Sequence, residues 1–365
     1  MEIPLVDLAW QHREIAAEVK AGLERVIESS AFIQGPDVRA FEQEFAVASG
    51  VGHCIGVGNG TDALELACRA LDIGHGDEVV VPANTFIASA LAVARTGATP
   101  VLVDSDPVTH LLDTAAALDR VGPKTRAIMP VNLFGQIAPF EALAGASVPL
   151  IEDAAQSQCA RRNGRLSGSF GVVAGTSFFP GKNLGAYGDG GAVVTDEPEL
   201  ASRVRSLGQY GSEQKYHHPE QGFNSRLDTL QAVVLRVKLR RLEAWNEHRA
   251  VAARLYHELL SGVPGVVLPE TLEGNDHVWH LYTVRVPERD RLLAVLHEAG
   301  IGAGIHYPRP IHLQGAFQQL GHSVGDFPVA ERAARELLSL PIYPGIRPDQ
   351  QEHVVSVLAS SLEGT

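Results

Sequence analysis

The sequence predicts an α/β protein: one large, mostly parallel seven-stranded sheet with helices on both faces, followed by a smaller α+β unit. Three observations carry this. Residues 53–195 alternate short β-branched runs with helical patterns, the signature of βαβ units. The chain has 365 residues, more than one ordinary domain and enough for a large unit plus a small one. From Arg226 the pattern changes to a long amphipathic helix with no Pro, and no Gly before Gly262.

The elements follow in order. HCIGVGN reads as a strand and GTDALELACRALDI as the helix after it. DEVVVP, ATPVLVD, TRAIMPV, PLIEDAA, GTSFFP and GGAVVT supply six further strand-like runs, with a helix through FIASALAVARTG. Runs with so few polar positions suit a sheet covered on both faces. In the long helix Leu227, Leu230, Val233, Val234 and Val237 recur three or four apart. GVPGVVLPETLEGN ends it with turn chemistry. VWHLYTVRV, RDRLLAVLHEAG and two terminal helical patterns make up the small unit. The large unit is expected over residues 1–245 and the small one over 246–365, dividing inside the long helix.

Lys and Arg number 30 against 43 Asp and Glu, a formal net charge of −13. This disfavours a nucleic-acid binder, which needs clustered cations. No run approaches the ~20 apolar residues that cross a bilayer, and the N-terminus lacks a signal pattern, so no membrane partner and a cytoplasmic location are expected. Cys54, Cys68 and Cys159 are widely spaced and odd in number, which fits a reducing compartment rather than a disulfide framework.

The chemistry concentrates in a few stretches. In SFFPGKNLGAYGDGG one lysine, Lys182, sits among Gly, Pro and aromatic residues just past a strand end, where open α/β sheets bind ligands. Burying a charged amine is costly, and forming a Schiff base removes that cost and creates a reactive centre. The alternative is a surface lysine in a glycine-rich loop. In IEDAAQ, Asp153 and Gln156 end an apolar strand; a carboxylate there suits a protonated ring nitrogen, as pyridoxal phosphate requires, or caps the next helix. GVGNGTDAL joins strand to helix through three glycines, an anion site at a helix N-terminus, with Asp62 as a helix-start residue. Phe86 is placed to stack on a planar ring, or else is core. His217, His218, His306 and His312 lack HExxH or cysteine spacing, so no metal is expected. No GxSxG motif occurs, and the glycine pattern is wrong for a nicotinamide dinucleotide.

Taken together, these stretches resemble the DegT/StrS-type sugar-nucleotide aminotransferases, within the pyridoxal-phosphate-dependent fold type I. The resemblance runs from IPLVDL and AFIQGPDVRAFEQEFA through GNGTDAL, VPANTFIAS, IEDAAQ and SFFPGKNLGAYGDGGAVVT to LPIYP. It implies that Lys182 carries the cofactor and shuttles a proton, Asp153 pairs with the pyridine nitrogen, and Gln156 approaches the ring hydroxyl. Phe86 would stack on the ring. Gly60, Thr61, Asp62 and Ser177 would hold the phosphate, joined by Asn224 from the neighbouring subunit of a homodimer.

GQYGSEQKYHHPEQGFNSRLD, VWHLYTVRV and IHYPRPIHL resemble most the branch that aminates position 3 of dTDP-linked 3-keto-6-deoxyhexoses, with L-glutamate as donor. Lys215 and Tyr216 would then contact the diphosphate, and His306, Tyr307 and His312 the sugar nucleotide. Relatives usually read PVHLYG where this chain reads PVNLFG, so Asn132 and Phe134 are expected to bear on which ketosugar is accepted. Amination at position 4, a UDP- or GDP-linked substrate, and a non-catalytic regulator of the same fold are the alternatives.

Overall fold

A computed structural model describes residues 2–363. The chain opens with α1 (Leu8–Ser29) and α2 (Pro36–Ser49). Pro36 starts α2 without losing a needed donor, and Gly50 ends it in the left-handed region at φ 68°. Then come β1 (His53–Val57), α3 (Gly60–Ala70), β2 (Glu78–Pro82), α4 (Ile87–Arg95), β3 (Thr99–Val103), α5 (Thr114–Asp119), β4 (Thr125–Ile128) and β5 (Ile151–Asp153). The short β6 (Arg161–Arg162) and β7 (Arg165–Leu166) lead to β8 (Val173–Ser177) and β9 (Gly191–Thr195).

Two hydrogen-bonded groups, β3-β2-β4 and β5-β8-β9-β1, meet through parallel bridges Ile128–Leu150 and Val131–Asp153. The result is the expected seven-stranded sheet, parallel except for β9, which runs antiparallel to β1 and β8. Side chains alternate across it. Ile55, Val57, Val173 and Val193 pack with α3, α4 and α6 (Pro198–Leu207) on one face. Cys54, Ala174, Ala192 and Val194 pack with Phe41 and Phe45 of α2 and Leu235 of α7 (Thr229–Leu239) on the other. Gly175 lets α3 lie against the sheet, because a Cβ there would sit 2.7 Å from Leu64 Cδ2.

The long helix read from Arg226 is in fact two, α7 and α8 (Leu242–Leu260). Arg241 N bonds the Lys238 carbonyl at 2.9 Å, one residue too near for an α-helix. Both Arg240 and Arg241 pair with Glu18 of α1, which turns the chain without a Gly or Pro. The strand expected at GTSFFP begins two residues earlier, at Val173, and ends at Ser177.

Leu242 belongs to the sheet core, whereas Ala252 to Leu260 join a second core. The short β10 (Asn275–Asp276) pairs with β6 and stays outside this second core. In it β11 (Tyr282–Arg285) runs antiparallel to β12 (Leu337–Leu340), flanked by α9 (Arg289–Glu298) and α11 (Pro348–Glu363); α10 (Pro328–Glu336) precedes β12. Ile3 is buried in this C-terminal core and bridges Ile301, although it lies at the other end of the sequence. Among the described residues no helix is long and apolar enough to cross a membrane. The three cysteines are free thiols.

Candidate active site

The carboxyl ends of four parallel strands meet in one place. Asp153 ends β5, Ser177 ends β8, Gly60 opens α3 after β1, and Phe86 sits directly before α4 after β2. Lys182 lies in the turn between β8 and β9. Its N–H donates to the Phe179 carbonyl at 2.8 Å, and the buried Lys238 of α7 braces the same turn through the Gly185 carbonyl at 2.6 Å.

The Lys182 side chain is half-buried, and among the described residues its Nζ has no hydrogen-bond partner. Burial pushes its pKa down to about 8, with the Asp153 carboxylate opposing. Burial in turn pushes the Asp153 carboxyl upward. Ser89 Oγ donating to Oδ2 at 2.7 Å, Ala155 N–H donating to Oδ1 at 3.1 Å and the Lys182 charge hold it back. An amine that readily becomes neutral, next to a carboxylate sheltered from water, can bind a carbonyl carbon and a protonated ring nitrogen side by side.

Gln156 accepts from the Phe134 N–H at 2.7 Å and donates to Tyr307 Oη at 2.9 Å. Tyr307 stands 5.5 Å from Phe86, centroid to centroid, and Phe86 is 51% exposed, so one aromatic face is free for a planar group. His306 joins them. Its Nδ1 bonds Ser339 Oγ at 2.8 Å, and burial, then the Lys182 charge, takes its pKa to about 4.

At the N-terminus of α3, Asn59 Oδ1 caps the helix by accepting from Asp62 N at 2.9 Å. The N–H groups of Gly60 and Thr61 are left for an anion. Gly60 faces Ser177 so closely that a Cβ would come within 2.6 Å of Ser177 Cβ. We therefore expect Gly60→Ala to displace Ser177 and weaken binding of a phosphorylated cofactor by about 10- to 100-fold, read by spectrophotometric titration.

Other expected residues stand elsewhere. Asp62 is not available to a ligand: Arg95 pairs with Oδ1 at 3.1 Å and Ser225 Oγ donates to Oδ2 at 2.8 Å. His312 is buried, with Nε2 on Glu331 Oε1 at 3.1 Å and its ring against Phe327, so it packs the protein rather than lining the site. Lys215 and Tyr216 lie on an exposed loop, Tyr216 85% exposed with Lys215 Nζ 5.0 Å from its ring centre. Asn224 is also exposed and pairs through its backbone with Gln209. None of these three is brought to Lys182 of the same chain.

Asn132 does not line a pocket either. Fully buried, it donates to Glu152 Oε1 at 2.7 Å and Ser167 Oγ at 3.2 Å, and accepts from Ala138 N at 3.0 Å. Asn132→Ala should destabilise the fold by about 2–4 kcal/mol in chemical denaturation, since Glu152 and the Ala138 N–H lose partners, and should leave substrate preference unchanged. Phe134, at φ 62°, is buried against Leu133, Leu281 and Tyr307.

The sequence reading missed Ser89, which donates to Asp153. Ser89 lies in the first turn of α4, three residues after Phe86, which caps that helix. Among the described residues no group of three His, Cys, Asp or Glu side chains is placed to hold a metal ion.

Comparison with known proteins converges on one group. The family model for the DegT/DnrJ/EryC1/StrS aminotransferases matches residues 13–359. The "Erythromycin biosynthesis sensory transduction protein EryC1" of Saccharopolyspora erythraea is 47% identical over 362 residues, covering 98% of this chain and 99% of the relative. The dTDP-3-amino-3,4,6-trideoxy-alpha-D-glucose transaminase of Streptomyces venezuelae is 46% identical, covering 98% of this chain and 95% of the relative. The crystal structure of S. venezuelae DesV in complex with a ketimine intermediate superposes with a TM-score of 0.97 at 46% identity, covering 99% of each chain.

Proposed function

Because the chain belongs to the DegT/DnrJ/EryC1/StrS aminotransferase family, we propose that it is a pyridoxal-phosphate-dependent enzyme of nucleotide-sugar metabolism. In this reading it moves the amino group of L-glutamate to the keto group, at position 3, of a dTDP-linked keto-deoxyhexose, and works in the cytoplasm as a homodimer. The observation that carries the reaction type is Lys182, an amine with a pKa of about 8 beside the buried Asp153. The substrate rests on the S. venezuelae relative and what its name says it transaminates.

The residues fit the cofactor. The N–H groups of Gly60 and Thr61, with Ser177, would hold the phosphate. Asp153 would hold the ring nitrogen in its protonated form, Phe86 would cover one ring face, and Gln156 would approach the ring hydroxyl. Lys182 would hold the carbonyl end. When bound, pyridoxal phosphate supplies the electron sink for the carbon that exchanges its proton.

The protein does the rest. In one half-reaction Lys182 would take a proton from the donor's α-carbon, and a water is consumed as 2-oxoglutarate leaves; in the other it would deliver a proton to the former keto carbon of the sugar, and a water is released as the ketosugar is taken up, so the exchange is redox-neutral overall. Asp153 keeps its negative charge opposite the ring because Ser89 and Ala155 donate to it. His306 and Tyr307 face the sugar side, and Lys215, Tyr216 and Asn224 serve a neighbouring copy. The test is the absorption spectrum of the purified protein before and after L-glutamate. Replacement of a visible cofactor band by the pyridoxamine band supports the reading. An unchanged band overturns the donor, and no band after incubation with pyridoxal phosphate overturns the cofactor and favours a regulator.

A further inference from the structure

Gln158 has no role so far, yet it is bonded to the segments that carry Asp153 and Ser177. It is buried, and its Nε2 lies 2.9 Å from the Ser177 carbonyl, 3.0 Å from Thr176 Oγ1 and 3.2 Å from the Ala155 carbonyl. Carbonyls only accept, which fixes the nitrogen end of the amide toward them. Thr176 Oγ1 donates its own hydrogen to the Ala154 carbonyl at 3.1 Å, so it too accepts from Gln158. The two amide hydrogens are thus shared among these oxygens. At the other end Oε1 is buried, with no hydrogen-bond partner among the described residues.

Backbone pairing of β5 with β8 ends at Asp153 opposite Gly175, closed by the Ala154 N–H on the Gly175 carbonyl at 2.9 Å. Gln158 joins the two chains again just past that end. On one side is Ala155, whose N–H donates to Asp153 Oδ1 at 3.1 Å. On the other is Ser177, at the phosphate side of the site. The Gln158 carbonyl carries the bonding further. It accepts from Asn246 Nδ2 at 3.1 Å, and Asn246 Oδ1 accepts at 2.8 Å from Asn183, the neighbour of Lys182. A ligand with a ring nitrogen at Asp153 and a phosphate at Ser177 needs those two ends at one fixed separation.

We propose that Gln158 sets the separation between the Asp153 carboxylate and the phosphate seat at Ser177, and so lets one phosphorylated pyridine engage both. It is a positioning residue, and the inference rests on the reading of this site as the pyridoxal-phosphate site.

Three non-covalent probes of the apoprotein test it: pyridoxine, inorganic phosphate, and pyridoxine 5′-phosphate, which joins the two. Joining two groups gains affinity only where the site holds their partners at the matching distance. Gln158→Met keeps the length of the side chain and removes the donor. In calorimetry it should bind pyridoxine and inorganic phosphate within about twofold of the wild type, and pyridoxine 5′-phosphate about tenfold more weakly. Gln158→Ala, which also removes the donor, gives the same comparison should Gln158→Met not fold. Binding of pyridoxine 5′-phosphate at the wild-type level overturns the proposal. So does equal weakening of all three probes, or loss of the fold in both variants, since either makes Gln158 a support of the fold alone. A wild-type apoprotein that binds no pyridoxine 5′-phosphate overturns the proposed function, and this inference falls with it.

Discussion

Lys182→Ala is expected to lower amino transfer at least ~10⁴-fold, because in the proposed function one substitution removes both the covalent tether and the group that moves the proton. The fold should persist, since the Lys182 side chain makes no hydrogen bond among the described residues and its burial disfavours the charged form. Steady-state rates and thermal melts of the same preparation check both halves. A pH signature accompanies this. With a pKa of about 8 rather than its ordinary value of 10.5, the amine is neutral about 300 times more often at pH 7. Modification of the apoprotein at Lys182 should therefore climb about tenfold from pH 6 to 7, bend near pH 8 and flatten above it. A climb that continues to pH 10 would mean that burial does not depress this amine.

Asp153→Asn is expected to cost ~10²–10³-fold in turnover, the scale of removing one partner from a buried charge pair. The sign for stability is opposite. Burial raises the Asp153 pKa, so the ionised carboxylate is less favourable in the folded chain than in the unfolded one. Its stability cost is present above the folded pKa and is relieved as pH falls through it. A neutral, similarly shaped amide removes that cost, and the variant should melt no lower than the wild type near pH 7. Loss of both activity and fold would instead assign Asp153 a structural role.

These two residues were legible because their surroundings are local in sequence. Asp153 follows the apolar PLI run, and Lys182 follows a strand by only five residues, so strand-end chemistry could be read from pattern alone. The seven strands were legible for the same reason: β-branched runs covered on both faces leave a plain signal. What escaped depends on groups that meet only in three dimensions. The break between α7 and α8 comes from Glu18, more than 200 residues earlier. Asp62 reads as a phosphate-loop residue until Arg95 and Ser225 occupy both of its oxygens. His312 reads as a substrate group until Glu331 and Phe327 enclose it. Asn132 departs from the family pattern, yet its bonds run to Glu152 and Ser167 beneath the sheet end. A departure in sequence there is a change of support, not of pocket.

In the proposed function, nitrogen passes through the Lys182 site to a nucleotide-linked ketone. The most direct measurement is transfer from L-[15N]glutamate to a dTDP-linked 3-keto-6-deoxyhexose, followed by 15N and 13C NMR of the sugar product with wild-type protein and with Lys182→Ala. The expected result is 15N bonded to carbon 3 with the wild type and none with the variant. Cofactor-loaded wild type that leaves the ketosugar unlabelled, or a Lys182→Ala protein that labels it equally well, would contradict it.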